Sequence, residues 1–174
     1  MAWIALRTGR TRQGVLEGRG PRRIRAKAAR GLGMSRIFLD TNFFIYLIEG
    51  VSPRSARARY LLRAFSARRD EVFTSVMTLG EVLVAPLGKG DYALAQQYRR
   101  LFRGQGITVL PFVEQAAETF ARIRMGGAVK PPDAIQLATA GTVGCDLFLT
   151  NDDRLQGITV PGIHFITSFE KAPI

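Results

Sequence analysis

The chain has 174 residues, with 25 Lys and Arg against 14 Asp and Glu and a formal net charge of +11. Its single cysteine, Cys145, excludes an intramolecular disulfide framework, and its single histidine, His164, excludes a His-pair zinc site and two-histidine catalysis. The longest run of bulky apolar residues, 43–48, is far short of the ~20 needed to cross a bilayer, so the expectation is a soluble, cytoplasmic globular protein with no membrane association.

The charge is unevenly placed. Residues 1–33 carry Arg7, Arg10, Arg12, Arg19, Arg22, Arg23, Arg25, Lys27 and Arg30 against Glu17 alone, whereas residues 34–174 are only mildly basic. The first segment lacks a sustained hydrophobic period and reads as a disordered or weakly helical extension; residues 34–174 read as one domain. Four readings of the extension stand side by side. It is an RNA-binding arm, an Arg-rich targeting peptide, a solvated tail without function, or sequence upstream of a true start at Met34.

Along the domain, 36–40 is an apolar run ending in Asp40, which suits a buried strand. Residues 42–49 form a helix closed by Gly50. Pro53 opens a second helix to about 68, with Tyr60, Leu61, Ala64 and Phe65 on its apolar face. A second strand at 72–74 leads to a helix over 76–84 that stops near Pro86 and Gly88. Asp91 caps a helix to 102, and 107–110 is a third strand. A helix over 114–125 breaks at Gly126-Gly127, and Pro131-Pro132 opens another to about 142. Residues 147–149 are a fourth strand, and 158–160 or 163–166 supplies a fifth. Short strands alternating with helices indicate an α/β fold, a parallel sheet covered on both faces. Ligands of such sheets sit at the carboxyl ends of the strands. Asp40 and the Thr150-Asn151-Asp152-Asp153 segment both follow strands there, whereas Asp146 precedes the fourth strand and belongs at the opposite edge.

Two further acids stand out. Glu81 shares its helical rows with Met77, Thr78, Val84 and Ala85, a face expected to turn inward, where a carboxylate is costly unless paired or bound to a cation. Asp133 opens a nearly uncharged helix. Each acid has a structural reading of its own. Asp133 complements a helix dipole, Asp152 is a loop acid or N-cap, Asp40 makes an Asx-turn and Glu81 pairs with an arginine. Together, the four can converge on one pocket. Clustered carboxylates raise one another's pKa and persist by holding hard divalent cations through oxygen, which favours Mg²⁺ or Mn²⁺.

Read in order, Ile37-Phe38-Leu39-Asp40-Thr41-Asn42, Thr74-Ser75-Val76 leading to Glu81, Pro132-Asp133-Ala134 with Ala138 and Ala140, and Leu149-Thr150-Asn151-Asp152 resemble the motifs of the PIN-domain family over about residues 35–170. The short single-domain members it resembles are toxin ribonucleases of VapBC-type toxin–antitoxin pairs. The resemblance implies a three-layer α/β/α sandwich around a parallel sheet of four to five strands. It implies a Mg²⁺- or Mn²⁺-dependent endoribonuclease, often a homodimer, inhibited by a cognate antitoxin. Carried over, Asp40, Glu81, Asp133 and Asp152 are the metal-binding catalytic quartet, with Asp153 a substitute for Asp152. Thr41, Asn42, Thr150 and Asn151 support them by hydrogen bonds. The expected reaction is in-line attack of water on an RNA phosphodiester, leaving 5′-phosphate and 3′-hydroxyl ends.

Arg54, Arg57, Arg59, Arg63, Arg68 and Arg69 on the second helix, with Arg99, Arg100 and Arg103 on another, are candidates for RNA phosphates or simply a solvated face. Phe43, Phe44, Tyr46 and Leu47, or the Tyr60-Leu61 region, belong to the core or to a groove for an antitoxin helix. Three alternatives remain: a housekeeping nuclease of the same family without an antitoxin, a non-catalytic RNA-binding module, and an aspartyl-nucleophile phosphatase. The last ordinarily wants a second Asp where Asn42 stands.

Overall fold

Among the described residues, five strands form one parallel sheet in the order β3-β2-β1-β4-β5. They are β1 (Arg36–Leu39), β2 (Glu71–Ser75), β3 (Thr108–Leu110), β4 (Cys145–Leu149) and β5 (Ile163–Thr167). Among the described residues, six helices connect or follow them: α1 (Thr41–Glu49), α2 (Pro53–Arg68), α3 (Val76–Gly88), α4 (Tyr92–Arg103), α5 (Ala117–Met125) and α6 (Pro131–Thr142), with a 3-10 turn at Glu114–Ala116 before α5. The computed structural model describes residues 34–104 and 106–174. The expectations for the basic segment 1–33 lie outside the described residues.

Alternation along β1 divides the interior in two. Ile37 and Leu39 join a core with Phe43 and Phe44 of α1, Leu61 and Phe65 of α2, and Tyr98 and Phe102 of α4. Phe38 points to the opposite face, stacks on Phe148 with ring centroids 5.1 Å apart, and packs with Ala134, Leu137 and Ala140 of α6. A sheet covered on both faces needs apolar side chains in consecutive positions, which is why β1 and β4 read as unbroken apolar runs. The core therefore takes Phe43, Phe44 and Leu61, so these residues do not line a binding groove; Tyr60 stays exposed.

Strand order places a topological switch between β1 and β4, because the chain leaves β1 toward β2 and β3 and returns to β4 on its other side. A crevice opens at such a point outside the carboxyl ends of the strands. Asp40 N–H still donates to Leu149 O at 3.1 Å, so the ends of β1 and β4 are held together where the two site segments begin. At the opposite edge, Asp146 lies in β4, accepts the Arg36 N–H and faces His164.

Two differences from the sequence reading have physical causes. The α3 helix continues through Pro86 to Gly88; a proline there lacks an N–H, but the last turn is rejoined by Lys89 N–H donating to Ala85 O and Asp91 N–H to Pro86 O. The face containing Glu81 is not wholly inward either. Thr78, Val82 and Pro86 are buried, whereas Val76, Val84 and Leu87 are exposed. The helix is apolar nearly all round, so residue type alone did not mark its inner side. The fifth strand is Ile163–Thr167, and it begins with a constraint. Gly162 has φ +83° and a Cβ there would lie 2.2 Å from Gly141 O of α6, so only glycine permits this approach of backbones. At the other end of the chain, Arg57 donates to Phe169 O and Ala172 O, fixing the C-terminal segment on α2. No helix among the described residues is long and apolar enough to cross a membrane.

Candidate active site

Two helix starts, the second turn of a third helix and one loop deliver the acids. Asp40 is the N-cap of α1, its carboxylate accepting the Thr41 N–H. Ser75 caps α3 by accepting the Thr78 N–H, and this sets the turn that carries Glu81. Pro131 and Pro132 begin α6 without N–H groups to satisfy, which leaves Asp133 in its first turn. The loop after β4 brings Thr150 and Asp152. Asp40, Glu81, Asp133 and Asp152 line one cleft of about 250 Å³, together with Thr41, Asn42, Lys130, Pro132 and Arg154.

Asp40 is 6% exposed. Burial pushes its carboxyl up from 3.8 to about 6, and the Asp133 and Glu81 carboxylates add to the rise. Two hydrogen bonds oppose it, from Thr150 Oγ1 to Oδ2 at 2.6 Å and from Thr41 N–H to Oδ1 at 2.6 Å. Glu81 accepts from Thr41 Oγ1 at 2.5 Å and from Gln136 Nε2 at 2.7 Å. Gln136 is fully buried, also donates to Thr41 Oγ1, and accepts from Thr78 Oγ1 at 2.9 Å. The hydroxyl on one side and the carboxylate on the other fix which end of the amide faces Glu81.

Asp133 makes no side-chain hydrogen bond or ion pair among the described residues. Partial burial raises its pKa, the Asp152 carboxylate adds to this, and Arg154 and Lys130 pull against it. Asp152 is arranged differently. Arg154 Nε lies 2.8 Å from Oδ1 and 3.1 Å from Oδ2, Nη2 also reaches Oδ2, and the Arg154 N–H donates to Oδ1 at 3.0 Å. This grip holds the Asp152 carboxyl below the usual range.

The supporting residues divide. Thr41 and Thr150 bond carboxylates as expected, and Asn42 lines the cleft. Asn151 does not serve the cleft acids: its Oδ1 accepts the Phe169 N–H, because the residue after Thr150 alternates toward the C-terminal segment. Asp153 is likewise turned away, bonded to Gln156 Nε2 at 2.7 Å and outside the cleft lining, so it is not placed to substitute for Asp152. Sequence reading missed Gln136, Lys130 and Arg154. The signals were present: an amide three residues after Asp133 in an otherwise apolar helix, and cations adjoining Pro131-Pro132-Asp133 and Asp152. Of the candidate RNA-binding arginines, Arg57 is spent on carbonyls, Arg54 donates to Tyr46 Oη, and Arg59 reaches Gly50 O at 3.4 Å. Arg68 pairs with Asp70, and Arg63 has no partner among the described residues.

The donors in the cleft are oxygens. Among the described residues, no group of three or more His, Cys, Asp or Glu stands where it could hold a metal ion, so any cation here would draw fewer than three ligands from these side chains as they stand. An open, oxygen-only set with one deeply buried carboxylate suits a cation that retains much of its water and shares its remaining positions with a substrate, as Mg²⁺ does.

Comparisons with known proteins follow the same lines. The sequence model of the PIN domain matches residues 37–160. Among solved structures, a toxin–antitoxin complex from Klebsiella pneumoniae is similar at 27% identity and TM-score 0.55, covering 73% of this chain and 94% of that one. VapBC2 from Rickettsia felis, bound to a promoter DNA fragment, aligns at 14% identity and TM-score 0.62 over 76% and 97% of the two chains. VapC20 from Mycobacterium tuberculosis, a sarcin–ricin loop cleaving toxin, aligns at 19% identity and TM-score 0.57 over 71% and 96%. The curated proteins contain no match.

Proposed function

The chain belongs to the PIN-domain family, and from that premise we propose that it is a Mg²⁺- or Mn²⁺-dependent endoribonuclease, the toxin of a type II toxin–antitoxin pair. The observation that carries this reading is the convergence of Asp40, Glu81, Asp133 and Asp152 on one cleft without histidine or cysteine. General-base catalysis by a histidine pair is not available to such a site. The antitoxin partner is supported by the solved relatives, which are toxin–antitoxin complexes, and the exposed Val76, Val84 and Leu87 on α3 offer apolar area for a protein contact, with an antitoxin or a second copy.

Asp40, with Glu81 and Asp133 across the cleft from it, would hold the metal, the remaining positions going to water and substrate oxygens. An ion bound there would supply Lewis acidity toward a phosphoryl oxygen and make an attacking water more acidic. The protein's own groups do the positioning. Thr150 and the Thr41 N–H favour ionised Asp40 against the cost of its burial. Thr41 and Gln136 hold one oxygen of Glu81, leaving the other to the cleft. Fixed carboxylates that do not have to reorganise are what in-line displacement at phosphorus requires.

The test is end-mapping of RNA incubated with purified protein. The expected result is 5′-phosphate and 3′-hydroxyl ends, abolished by EDTA and by Asp40→Asn. EDTA-resistant cleavage, or 2′,3′-cyclic phosphate ends, refutes the metal-dependent mechanism. Growth arrest on expression, relieved by a neighbouring small gene, tests the toxin assignment.

A further inference from the structure

The cleft is too acidic to welcome RNA on its own, since its carboxylates outnumber its cations two to one. The two cations are Lys130, at the N-cap of α6, and Arg154. Arg154 is 58% exposed although it grips Asp152 through Nε and Nη2. Its Nη1 forms no hydrogen bond among the described residues. Lys130 has no hydrogen-bonding or ion-pair partner for its ammonium among them. A guanidinium that lines a cleft, is held along one edge by a carboxylate and keeps Nη1 unbonded is pre-organised for an oxyanion, because its N–H donors lie in a rigid fork.

Resting on the ribonuclease reading, we infer that Arg154 and Lys130 bind a backbone phosphate of the RNA at the mouth of the acidic cleft, and that Asp152 acts as a positioning residue for Arg154 instead of a metal ligand. Both oxygens of Asp152 are engaged by Arg154, and its own N–H is tied to Thr150 Oγ1 at 3.0 Å. The loop is thus built to aim a guanidinium. Asp40, Glu81 and Asp133 have no arginine bound to them, and they are left for the cation.

The experiment separates the two roles of Asp152. Binding of a short labelled single-stranded RNA is measured in EDTA against salt concentration, and Mn²⁺ binding is measured by calorimetry without RNA. For Arg154→Ala, weaker RNA binding is expected, with the log–log salt slope reduced by about 0.7, the value for one lost phosphate contact on a single strand. Arg154→Lys keeps the slope, since charge is retained, but loses turnover, since the fork is gone. Asp152→Asn leaves Mn²⁺ affinity within about two-fold of wild type and lowers kcat/KM by roughly the ten- to hundred-fold typical of a lost supporting partner. Melting curves establish that each variant is folded. A ten-fold or larger loss of Mn²⁺ affinity in Asp152→Asn overturns the positioning role. An unchanged salt slope in Arg154→Ala, with wild type binding RNA, overturns the phosphate role alone. Tighter Mn²⁺ binding and faster cleavage by Arg154→Ala overturns it too, by making the arginine an internal plug. Wild-type protein that neither binds nor cleaves RNA removes the ribonuclease reading itself.

Discussion

Asp40→Asn is the sharpest perturbation, because structure gives both a sign and a size for its effect on stability. In the unfolded chain this carboxyl titrates near 3.8, and in the folded protein near 6. The folded state therefore holds the proton more tightly. Below about pH 3.8 Asp40 costs nothing; as pH rises through about 6 the penalty of burying its charge develops and then stays. At about 1.36 kcal/mol per pKa unit, the difference from 3.8 to about 6 amounts to up to about 3 kcal/mol of lost stability at neutral pH in metal-free protein. An amide removes that charge at a smaller cost. Its oxygen still accepts the Thr41 N–H, but its nitrogen meets Thr150 Oγ1, which already accepts the Asp152 N–H and now has no acceptor for its own proton. One such loss is worth about 1 kcal/mol. The expected net gain at pH 8 in EDTA is about 2 kcal/mol, or about 4–8 °C in Tm for a domain of roughly 150 residues. At pH 4 the gain vanishes and reverses, since the wild-type carboxyl is protonated. Calorimetric melting of both proteins across this range is the assay. A Tm difference that does not change with pH, or a variant less stable at pH 8, refutes the account of Asp40 as a buried, charge-penalised group.

Other outcomes follow from the same network. Because a proton competes with the cation at Asp40, apparent Mn²⁺ affinity should fall by up to ten-fold per pH unit below about pH 6 and level off above it, as read by calorimetry. Gln136→Leu removes a donor from Glu81 and an acceptor from Thr78; it should cost about 1–3 kcal/mol in denaturant titration and weaken Mn²⁺ binding about ten- to hundred-fold. Arg57→Ala should lose about 1.5–3 kcal/mol by releasing the C-terminal carbonyls, with the salt slope of RNA binding unaltered. Gly162→Ala should destabilise by several kcal/mol or prevent folding, because Cβ would meet Gly141 O and the φ is left-handed.

Much of the architecture was legible because parallel strands buried on both faces leave uninterrupted apolar runs, and β1 and β4 are such runs. Helix starts were legible from Asp91, Pro53 and Pro131, which have local mechanisms. The inner face of α3 was not, since valines and leucines surround it and the packing of α1, α4 and α6 decides which are covered. Within the site, the acids were visible as residues out of place in apolar surroundings. Gln136 was less visible, because a single amide in a helix looks the same whether it faces water or a carboxylate. Arg154 was hidden for another reason. An arginine two residues after an aspartate reads as a solvated loop pair, and only the fold shows that the pair borders the cleft.

Asp40 also shows why a structural role and a functional one are not rivals. Its side chain does cap α1, as an aspartate at a strand end would for purely local reasons. Capping alone, however, predicts a carboxylate stabilised in its charged form by the helix N-terminus, with a pKa at or below its ordinary value. The opposite is found: burial outweighs the cap and the carboxyl is pushed up to about 6. Serine or asparagine would cap as well without that penalty. Asp133 repeats the pattern, lying in the first turn of α6 with its pKa raised instead of lowered. Two helix starts thus carry acids that their own helices would stabilise in the open, placed where burial and neighbouring carboxylates undo the benefit. A divalent cation bound in the cleft would remove that conflict at both positions, whereas capping removes it at neither.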